Sequence, residues 1–389
     1  MESFIYNTPT KIYFGKDREK EVGKIISELG YKNVMIQYGK NSVVKSGLLS
    51  IVTSELDKYN INHIEFGGVE PNPKLEFVRQ AVKTCKDKKI DFILAVGGGS
   101  VLDSSKFTAI GAKTDIDVWE FPIGKAIVQD ALPVGCILTI SAAGSEMSNS
   151  AVLSNLSESK KKGCSTEFNR CKFAIMNPEL TYSVSKYQTA CGIVDIMAHT
   201  MERYFTNYDD TPLTDRISES ILKTVVECGT ILMNNPRDYQ ARANVMWASS
   251  LSHNGLTGCG RENYLAVHQL EHALSGEYDN IAHGAGLAVL FPAWAKYVYK
   301  FKPSRFARFA REVFGVIEKD DIIASELGIK FMSDYFKSLN MPTKLSDFNI
   351  SFDSIDKLTL LCTNNNTRLI KSYIPLGYKE VKDIFELAF

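Results

Sequence analysis

The segment Phe92-Ile93-Leu94-Ala95-Val96-Gly97-Gly98-Gly99-Ser100-Val101-Leu102-Asp103 decides the fold class of this chain. A continuous apolar run of this length is typical of a strand that is buried on both faces. The glycines that follow allow a tight turn, and the residues from Val101 onward predict a helix. The segment therefore predicts one strand, turn and helix of a parallel sheet that is covered by helices.

The rest of the chain separates into two parts. Before residue 92, short apolar runs alternate with segments in which apolar residues recur at helical spacing. From about residue 187 the sequence changes to long segments of helical periodicity with little strand signal. We therefore predict an α/β domain over residues 1–184 and an all-helical domain over residues 185–389.

Composition excludes several classes of function. The 389 residues include 45 basic and 45 acidic side chains, a balance that gives no sign of a nucleic-acid or anionic-membrane partner. The chain starts without a basic segment followed by an apolar run, and it contains no apolar stretch of the about 18 residues that a membrane span needs. None of the eight cysteines forms a C-x-x-C pair. We expect a cytoplasmic protein with reduced thiols.

The glycine run is a candidate phosphate site. A glycine-rich turn that opens a helix presents backbone amides and a partial positive charge, which together suit a pyrophosphate. The run matches neither G-x-G-x-x-G nor G-x-x-x-x-G-K-[ST], so a plain tight turn remains an alternative. The small and hydroxyl residues at 139–146 form a second candidate, for which a solvated loop is an equal alternative.

Histidines and an aspartate at helical spacing indicate a metal site. Asp195 and His199 are four residues apart in an apolar helical segment, and His268 and His272 repeat that spacing. A buried carboxylate needs a partner or a metal. Asp195, His199, His268 and His283 offer three imidazoles and one carboxylate, a set that suits divalent iron or zinc with a coordination position left for substrate.

A different interpretation is possible for His268 and His272, and two further histidines stand apart from the candidate site. Residues 268–272 match H-x-x-E-H, the inverted zinc-peptidase pattern, in which Glu271 would be the general base. That interpretation leaves the glycine run and the α/β half without a role. His63 and His253 have no partner at helical spacing, and we expect them to be structural or exposed.

With these residues identified, the sequence resembles the iron-containing (group III) alcohol dehydrogenase family, in its butanol-dehydrogenase-like branch. The resemblance covers essentially the whole chain. The segments that carry it are 7–15, 97–100 with Asp103 and Lys106, 143–147, 192–199 and 268–286. It implies the dehydroquinate synthase-like fold of that family, with a Rossmann-like dinucleotide-binding domain, a helical metal-binding domain and an active site between them.

The resemblance also implies roles for individual residues. The implied metal ligands are Asp195, His199, His268 and His283, and the implied catalytic residue beside the nicotinamide and substrate is His272. The implied coenzyme contacts are Gly98, Gly99, Ser100, Asp103, Thr139, Ser145 and Lys162. One departure is that the interval between His268 and His283 is one residue longer than in the family pattern, which leaves the alignment near Asn280 open.

Coenzyme choice is predicted from the residues after the second strand. Relatives that prefer NAD carry an acidic residue there, which bonds the ribose hydroxyls and repels a 2′-phosphate. This chain has Gly39 instead, followed by Lys40, Asn41 and Ser42, which can donate to a phosphate. We therefore predict a preference for NADP(H), with NAD(H) as the alternative.

These implications define the expected function. We expect a homodimeric, metal-dependent oxidoreductase that transfers a hydride between NADP(H) and a small primary alcohol or aldehyde of the butanol type. The ion is Fe²⁺ or Zn²⁺, because the ligand set accepts both. A polyol dehydrogenase, or a lyase that cyclises sugar phosphates on the same fold, remains an alternative.

Overall fold

The computed structural model describes all 389 residues of the chain. The strands are β1 (Lys11–Phe14), β2 (Asn33–Gly39), β3 (Asn62–Val69), β4 (Phe92–Gly97), β5 (Val134–Leu138), β6 (Ser150–Asn155), β7 (Lys160–Ser165) and β8 (Phe173–Met176). The helices are α1 (Val22–Glu28), α2 (Ser42–Lys45), α3 (Leu48–Lys58), α4 (Leu75–Asp87), α5 (Gly99–Ala112), α6 (Lys186–Tyr204), α7 (Pro212–Asn234), α8 (Tyr239–His253), α9 (Ala266–Glu277), α10 (His283–Val298), α11 (Pro303–Phe314), α12 (Asp321–Ser338), α13 (Ser354–Cys362) and α14 (Tyr378–Leu387).

Two compact units make up the chain. One comprises Asn7–Val184, and the other comprises Ser185–Phe389 together with Met1–Tyr6. The first is α/β and the second is helical, which confirms the predicted fold class. No helix combines the length and the apolar character that crossing a membrane requires.

The α/β unit is built on a parallel sheet. Its six strands lie in the order β1-β8-β5-β4-β2-β3, and each neighbouring pair is parallel. Every residue of β4 and β5 is buried, as the apolar run at 92–96 predicts for central strands. Because β4 ends at Gly97 and α5 begins at Gly99, the glycine run lies at the carboxyl end of a central strand.

The hairpin of β6 and β7 was not predicted. Its two strands are antiparallel and separate from the main sheet, with Ser150 opposite Ser165 and Asn155 opposite Lys160. The sequence of β7, Lys-Lys-Lys-Gly-Cys-Ser, lacks the apolar alternation by which a strand is usually recognised. The hairpin forms because Ala151 and Leu153 of β6 pack into the core against α4 and α5.

The helical unit surrounds α10, which the sequence did not predict. Residues 284–295 of this helix are all buried, so its apolar residues cover every face and give no amphipathic period. Pro292 inside the helix further weakens the pattern, as does the pair Gly284 and Gly286. Helix α13 was also missed, whereas α6, α7, α8, α9, α11, α12 and α14 lie within a few residues of predicted helical segments.

Candidate functional site

Three helices of the helical unit bring the four predicted metal ligands together. Helix α6 carries Asp195 and His199, α9 carries His268, and α10 begins at His283. The Oδ1 atom of Asp195 lies 3.3 Å from the Nε2 atom of His199, 3.7 Å from that of His268 and 3.8 Å from that of His283. Three imidazole nitrogens therefore converge on one carboxylate oxygen.

Two atoms at the centre of this cluster are buried without a hydrogen-bond partner. They are Oδ1 of Asp195 and Nε2 of His268. Burying an unpartnered carboxylate oxygen costs free energy unless a cation or a donor offsets it. Asp195, His199 and His268 also place one ligand atom each within 4.8 Å of one another. The burial, the spacing and the chemistry of the donor atoms fit a divalent metal ion.

The rings of two histidines are held from behind by buried glutamates. The Nδ1 atom of His268 contacts Oε2 of Glu202, and the Nδ1 atom of His283 contacts Oε2 of Glu271. Glu202 also accepts a hydrogen bond of 2.5 Å from the backbone N–H of Val267, which fixes the carboxylate. A carboxylate on Nδ1 places the proton there and directs the Nε2 lone pair inward, as metal-binding histidines require.

The electrostatic environment differs between the ligands. Burial lowers the pKa of His268, but the attraction of Glu202 and then Asp195 outweighs it and raises the pKa to about 9. Burial first, and then the neighbouring histidines and Arg203, hold the pKa of His199 well below its ordinary value. His199 is therefore neutral near pH 7, the state in which an imidazole binds a metal.

Close packing of two helices positions His283. A Cβ atom on Gly284 would clash with the backbone carbonyl of Cys191, so only glycine lets the start of α10 lie this close to α6. Gly286 has a similar function, because a Cβ atom there would lie 2.9 Å from Cγ of Glu271. The missing side chains let His283 reach both Asp195 and Glu271.

His272, the predicted catalytic residue, lies beside this cluster. It is one turn beyond His268 on α9, and its ring centroid is 5.7 Å from that of His283. It lies outside the group formed by Asp195, His199 and His268. In the H-x-x-E-H interpretation His268 and His272 would share one ion, with Glu271 free to act on water. Here Glu271 instead supports His283, so the geometry does not favour a peptidase.

Sequence reasoning missed Glu202 and His253. Glu202 is buried on α6, one turn beyond the ligand His199, in the run Thr200-Met201-Glu202-Arg203. A glutamate at that spacing on a buried helix was the available signal. His253, which we expected to be structural or exposed, has its Nδ1 atom 2.9 Å from that of His199. His63 lies away from these residues, in β3 of the α/β unit, with its Nδ1 atom 3.7 Å from Asp57.

In the α/β unit, the glycine run forms a tight turn into α5. A Cβ atom on Gly97 or Gly98 would lie only 2.5 Å from a methyl carbon of Val101 or Ile140. A Cβ atom on Gly99 would make one ordinary contact, 3.5 Å from Ala143. Gly98 caps the helix without a side-chain hydrogen bond, which leaves the first amides of α5 for another acceptor. Gly98, Gly99 and Ser100 thus lie at a helix N-terminus whose free amides suit an anion.

Two of the predicted coenzyme contacts hold the adjacent loop. The half-buried carboxylate of Asp103 accepts a 2.8 Å hydrogen bond from Oγ of Ser145 and a 3.0 Å bond from the backbone N–H of Val152. Burial raises the pKa of Asp103, although Lys106 opposes this shift. The Nζ atom of Lys106 donates to the carbonyl oxygens of Ser145 and Ser150 at 2.7 and 2.8 Å. These contacts give Asp103 and Ser145 a positioning role for the loop over the glycine turn.

The remaining predicted contacts lie on the same unit. Thr139 follows β5, and its backbone N–H donates to the carbonyl of Gly97 at 3.0 Å. Lys162 lies in β7 opposite Leu153.

Gly39 is the last residue of β2, and the segment after it leads into α2. Asn41 is the N-cap residue of α2, and Ser42 is its first residue. The Nζ atom of Lys40 lies 2.5 Å from Oε1 of Glu70, the residue that follows β3.

Comparison with known proteins agrees with this arrangement. The chain matches the family model for iron-containing alcohol dehydrogenases over residues 9–178 and the C-terminal model of the Fe-containing alcohol dehydrogenase family over residues 189–389. It is 38% identical to NADH-dependent butanol dehydrogenase A of Clostridium acetobutylicum, with all of both chains covered. It is 36% identical to the NADPH-dependent aldehyde reductase YqhD of Escherichia coli, with 92% of each chain covered.

A solved structure shows the same fold along the whole chain. The crystal structure of NADH-dependent butanol dehydrogenase A from Thermotoga maritima has a TM-score of 0.96 and 36% sequence identity, and the match covers 100% of this chain and 99% of that one. Two family models span nearly all residues, and the Clostridium relative matches over its full length. The chain therefore belongs to the iron-containing alcohol dehydrogenase family, in its butanol-dehydrogenase-like branch, and is an NAD(P)-dependent alcohol dehydrogenase.

Proposed function

We propose that this enzyme transfers a hydride between NADP(H) and a small primary alcohol or aldehyde, with one Fe²⁺ or Zn²⁺ held by Asp195, His199, His268 and His283. The observation that carries the proposal is the convergence of three Nε2 atoms within 3.8 Å of an Asp195 oxygen that has no hydrogen-bond partner. Only Asp195 among the four residues is anionic, so the set does not neutralise a divalent ion.

The bound ion supplies Lewis acidity to the substrate oxygen, and the nicotinamide supplies or takes the hydride. The protein's own side chains orient the imidazoles of the site and transfer the proton of the alcohol. Glu202 and Glu271 hold the imidazoles of His268 and His283 with Nε2 inward. His272 accepts or donates the proton that the alcohol loses or gains, since an imidazole can do both near pH 7.

We assign coenzyme binding to the α/β domain, residues 1–184, and metal binding to the helical domain, residues 185–389. The amides of Gly98, Gly99 and Ser100 would hold the pyrophosphate. Thr139, Ser145 and Lys162 lie on the strands and loop that follow, and Asp103 holds Ser145 in place.

The preference for NADP(H) rests on the end of β2. Gly39 places no anion there, and the adjacent Lys40, Asn41 and Ser42 can donate to a 2′-phosphate. Glu70 opposes this preference, because its carboxylate pairs with Lys40. We therefore expect a moderate preference. The relatives differ in coenzyme: the Clostridium enzyme is named as NADH-dependent and the Escherichia coli enzyme as NADPH-dependent.

We also propose a butanol or butyraldehyde type of substrate, a cytoplasmic location and a homodimer. The substrate follows the names of the relatives, a butanol dehydrogenase and an aldehyde reductase. The location and the dimer follow the family resemblance. Light scattering coupled to size-exclusion chromatography tests the dimer directly.

The test of the proposed function is turnover of the metal-loaded protein. Protein loaded anaerobically with Fe(II) or Zn(II) should oxidise NADPH faster than NADH when butyraldehyde is added. His268→Ala should lose both metal and activity, whereas His272→Ala should keep the metal and turn over slowly. Full activity of a metal-free His268→Ala protein would refute the ligand assignment. Bound metal without turnover of butyraldehyde would redirect the search to polyols and then to the lyase reaction.

A further inference from the structure

We propose that His253 is a positioning residue for the metal centre, which fixes the ring of His199 and holds the proton on its Nδ1 atom. The inference rests on the proposed function, because it concerns the same site. His253 is the last residue of α8, so it reaches the cluster from a helix that carries none of the four ligands.

The geometry places His253 directly behind His199. Their Nδ1 atoms are 2.9 Å apart, and their ring centroids are 4.0 Å apart with an angle of 57° between the planes. The Nη2 atom of Arg203 lies 3.0 Å from the same Nδ1 atom of His253. Arg203 is itself anchored, since its Nη1 atom donates to the carbonyl of His199 at 2.7 Å.

Hydrogen-bond chemistry then assigns the protons. A guanidinium group can only donate, so the Nδ1 atom of His253 must present a lone pair to Arg203. Two nitrogens 2.9 Å apart bond only if one of them carries a hydrogen. Because His253 accepts, the hydrogen is on Nδ1 of His199. The Nε2 lone pair of His199 is then directed toward Asp195, whose Oδ1 atom is 3.3 Å away.

The three histidine ligands therefore have different support. His268 and His283 each contact a carboxylate, whereas His199 contacts a neutral imidazole that is backed by a buried arginine. A carboxylate makes a histidine ligand more basic than a neutral acceptor does. His253 thus orients His199 without adding a negative charge to the site. This limits the anionic charge around the ion.

Three variants separate the acceptor from the bulk of the side chain. His253→Phe keeps a ring of similar size but removes the acceptor nitrogen. His253→Asn places an amide oxygen near the position of Nδ1 and keeps the acceptor. His253→Ala removes both and replaces the Phe variant as the acceptor-free protein if the Phe variant does not fold. His63→Phe is the matched control, because His63 lies in the α/β unit and contacts Asp57.

The experiment measures metal binding rather than turnover. Co(II) affinity is determined for the full chain by competition with a chromophoric chelator, and the visible spectrum of the Co(II)-loaded protein reports ligand geometry. We expect the acceptor-free variant to bind Co(II) about 10–100-fold more weakly with an altered spectrum, the range found when an outer partner of a ligand is removed. His253→Asn should recover most of the affinity, and His63→Phe should match wild type.

Unchanged affinity and spectrum in the acceptor-free variant would overturn the inference. The inference would also be overturned if His253→Asn folded but bound Co(II) as weakly as the acceptor-free variant. The size of the side chain, and not its hydrogen bond, would then determine Co(II) affinity. Failure of the proposed function is seen separately, in the wild type: a wild-type protein that binds no Co(II) would overturn both.

Discussion

At the scale of single residues, the site depends on one carboxylate. Asp195 lies on a helix whose residues from 192 to 204 are all buried, and its Oδ1 atom has no hydrogen-bond partner. Burying a carboxylate oxygen without a hydrogen-bond partner costs free energy, which a bound cation would offset. The Nδ1 atom of each surrounding histidine contacts a supporting side chain. These pairs are His268 with Glu202, His199 with His253, and His283 with Glu271. The side chains of the proposed metal site are therefore held in place by their neighbours.

A prediction at this scale concerns coenzyme choice. Lys40→Ala should lower the preference for NADPH over NADH, and Glu70→Gln should raise it, because one change removes a cation and the other removes the anion that pairs with it. Both side chains are substantially exposed, so each change should be worth at most about 1 kcal/mol, or about fivefold. The measurement is the ratio of kcat/KM for the two coenzymes, with coenzyme affinity followed by fluorescence.

Lys24→Ala serves as the control, since it removes an exposed lysine that pairs with Glu28 on α1. If Lys40→Ala and Glu70→Gln moved the ratio in the same direction, the account of coenzyme choice would be wrong.

The sequence indicated the candidate metal ligands but not the side chains that contact them. Asp195 and His199, like His268 and His272, are recognisable because they are four residues apart in helical segments, and the resemblance implies the same four ligands that the residues suggest. Glu202 lies 66 positions from His268, and His253 lies 54 positions from His199. Such contacts depend on how helices pack, and no local spacing encodes them.

At the scale of elements, the close approach of α10 and α6 is the critical packing contact. Gly284→Ala introduces a Cβ atom that clashes with the carbonyl of Cys191, and backbone cannot move as a flexible side chain can. We expect the free energy of unfolding to fall by about 1–3 kcal/mol. We expect the free energy of metal binding to fall by more, because His283 is the adjacent residue. Urea unfolding and Co(II) titration measure the two effects.

Gly163→Ala is the matched control, since the nearest atom to a Cβ there is 3.7 Å away. A Gly284→Ala protein with wild-type stability and metal affinity would show that the two helices tolerate a wider separation.

The loop over the glycine turn depends on Lys106 of α5. Its buried ammonium donates to the carbonyl oxygens of Ser145, Ser148 and Ser150. Lys106→Met should lower the free energy of unfolding by about 1–3 kcal/mol, because it leaves the buried carbonyl oxygens of Ser145 and Ser148 without their donor. It should also weaken coenzyme binding. Denaturant unfolding tests the first effect, and coenzyme fluorescence tests the second.

Lys113→Met is the control, since this exposed lysine at the end of α5 pairs only at the surface with Asp130. Equal stability of the Lys106→Met and Lys113→Met proteins would contradict the assignment of a supporting role to Lys106.

Elements with a clear period or with an apolar run that ends in a glycine turn were predictable, whereas α10 and β7 were not. The run at 92–96 became β4, and the long amphipathic segments became helices. Helix α10 is not predicted because it is apolar on all faces. Strand β7 is not predicted because its lysines interrupt the alternation of apolar and polar residues. Burial on all sides removes the contrast between faces on which periodicity depends.

At the scale of the whole molecule, metal binding should couple to stability. A ligand that binds only the folded state stabilises it by an amount set by its concentration relative to Kd, about 2.7 kcal/mol at 100 times Kd. Zn(II) should therefore raise the melting temperature of the chelator-treated protein, since three helices must be folded to bring the ligands together. Thermal unfolding with and without Zn(II) measures this shift.

His268→Ala protein should show little or no shift under the same conditions. A shift of equal size in that variant would mean that Zn(II) binds elsewhere.

The division of the chain was predicted from the change in periodicity near residue 184, and the resemblance added the identity of the fold. The placement of Met1–Tyr6 with the helical unit was not foreseen. It depends on contacts such as the hydrogen bond from the Glu2 backbone N–H to the carbonyl of Gly260, 2.8 Å long, which sequence pattern does not report.

The central claim is that Asp195, His199, His268 and His283 hold one divalent ion. Anomalous diffraction from a crystal of metal-loaded protein, recorded on either side of the absorption edge of the ion, tests it most directly. The account predicts one strong peak per chain, about 2.0–2.2 Å from Oδ1 or Oδ2 of Asp195 and from Nε2 of each histidine. A loaded crystal with no peak among these residues, or with its peak at another cluster, would contradict it.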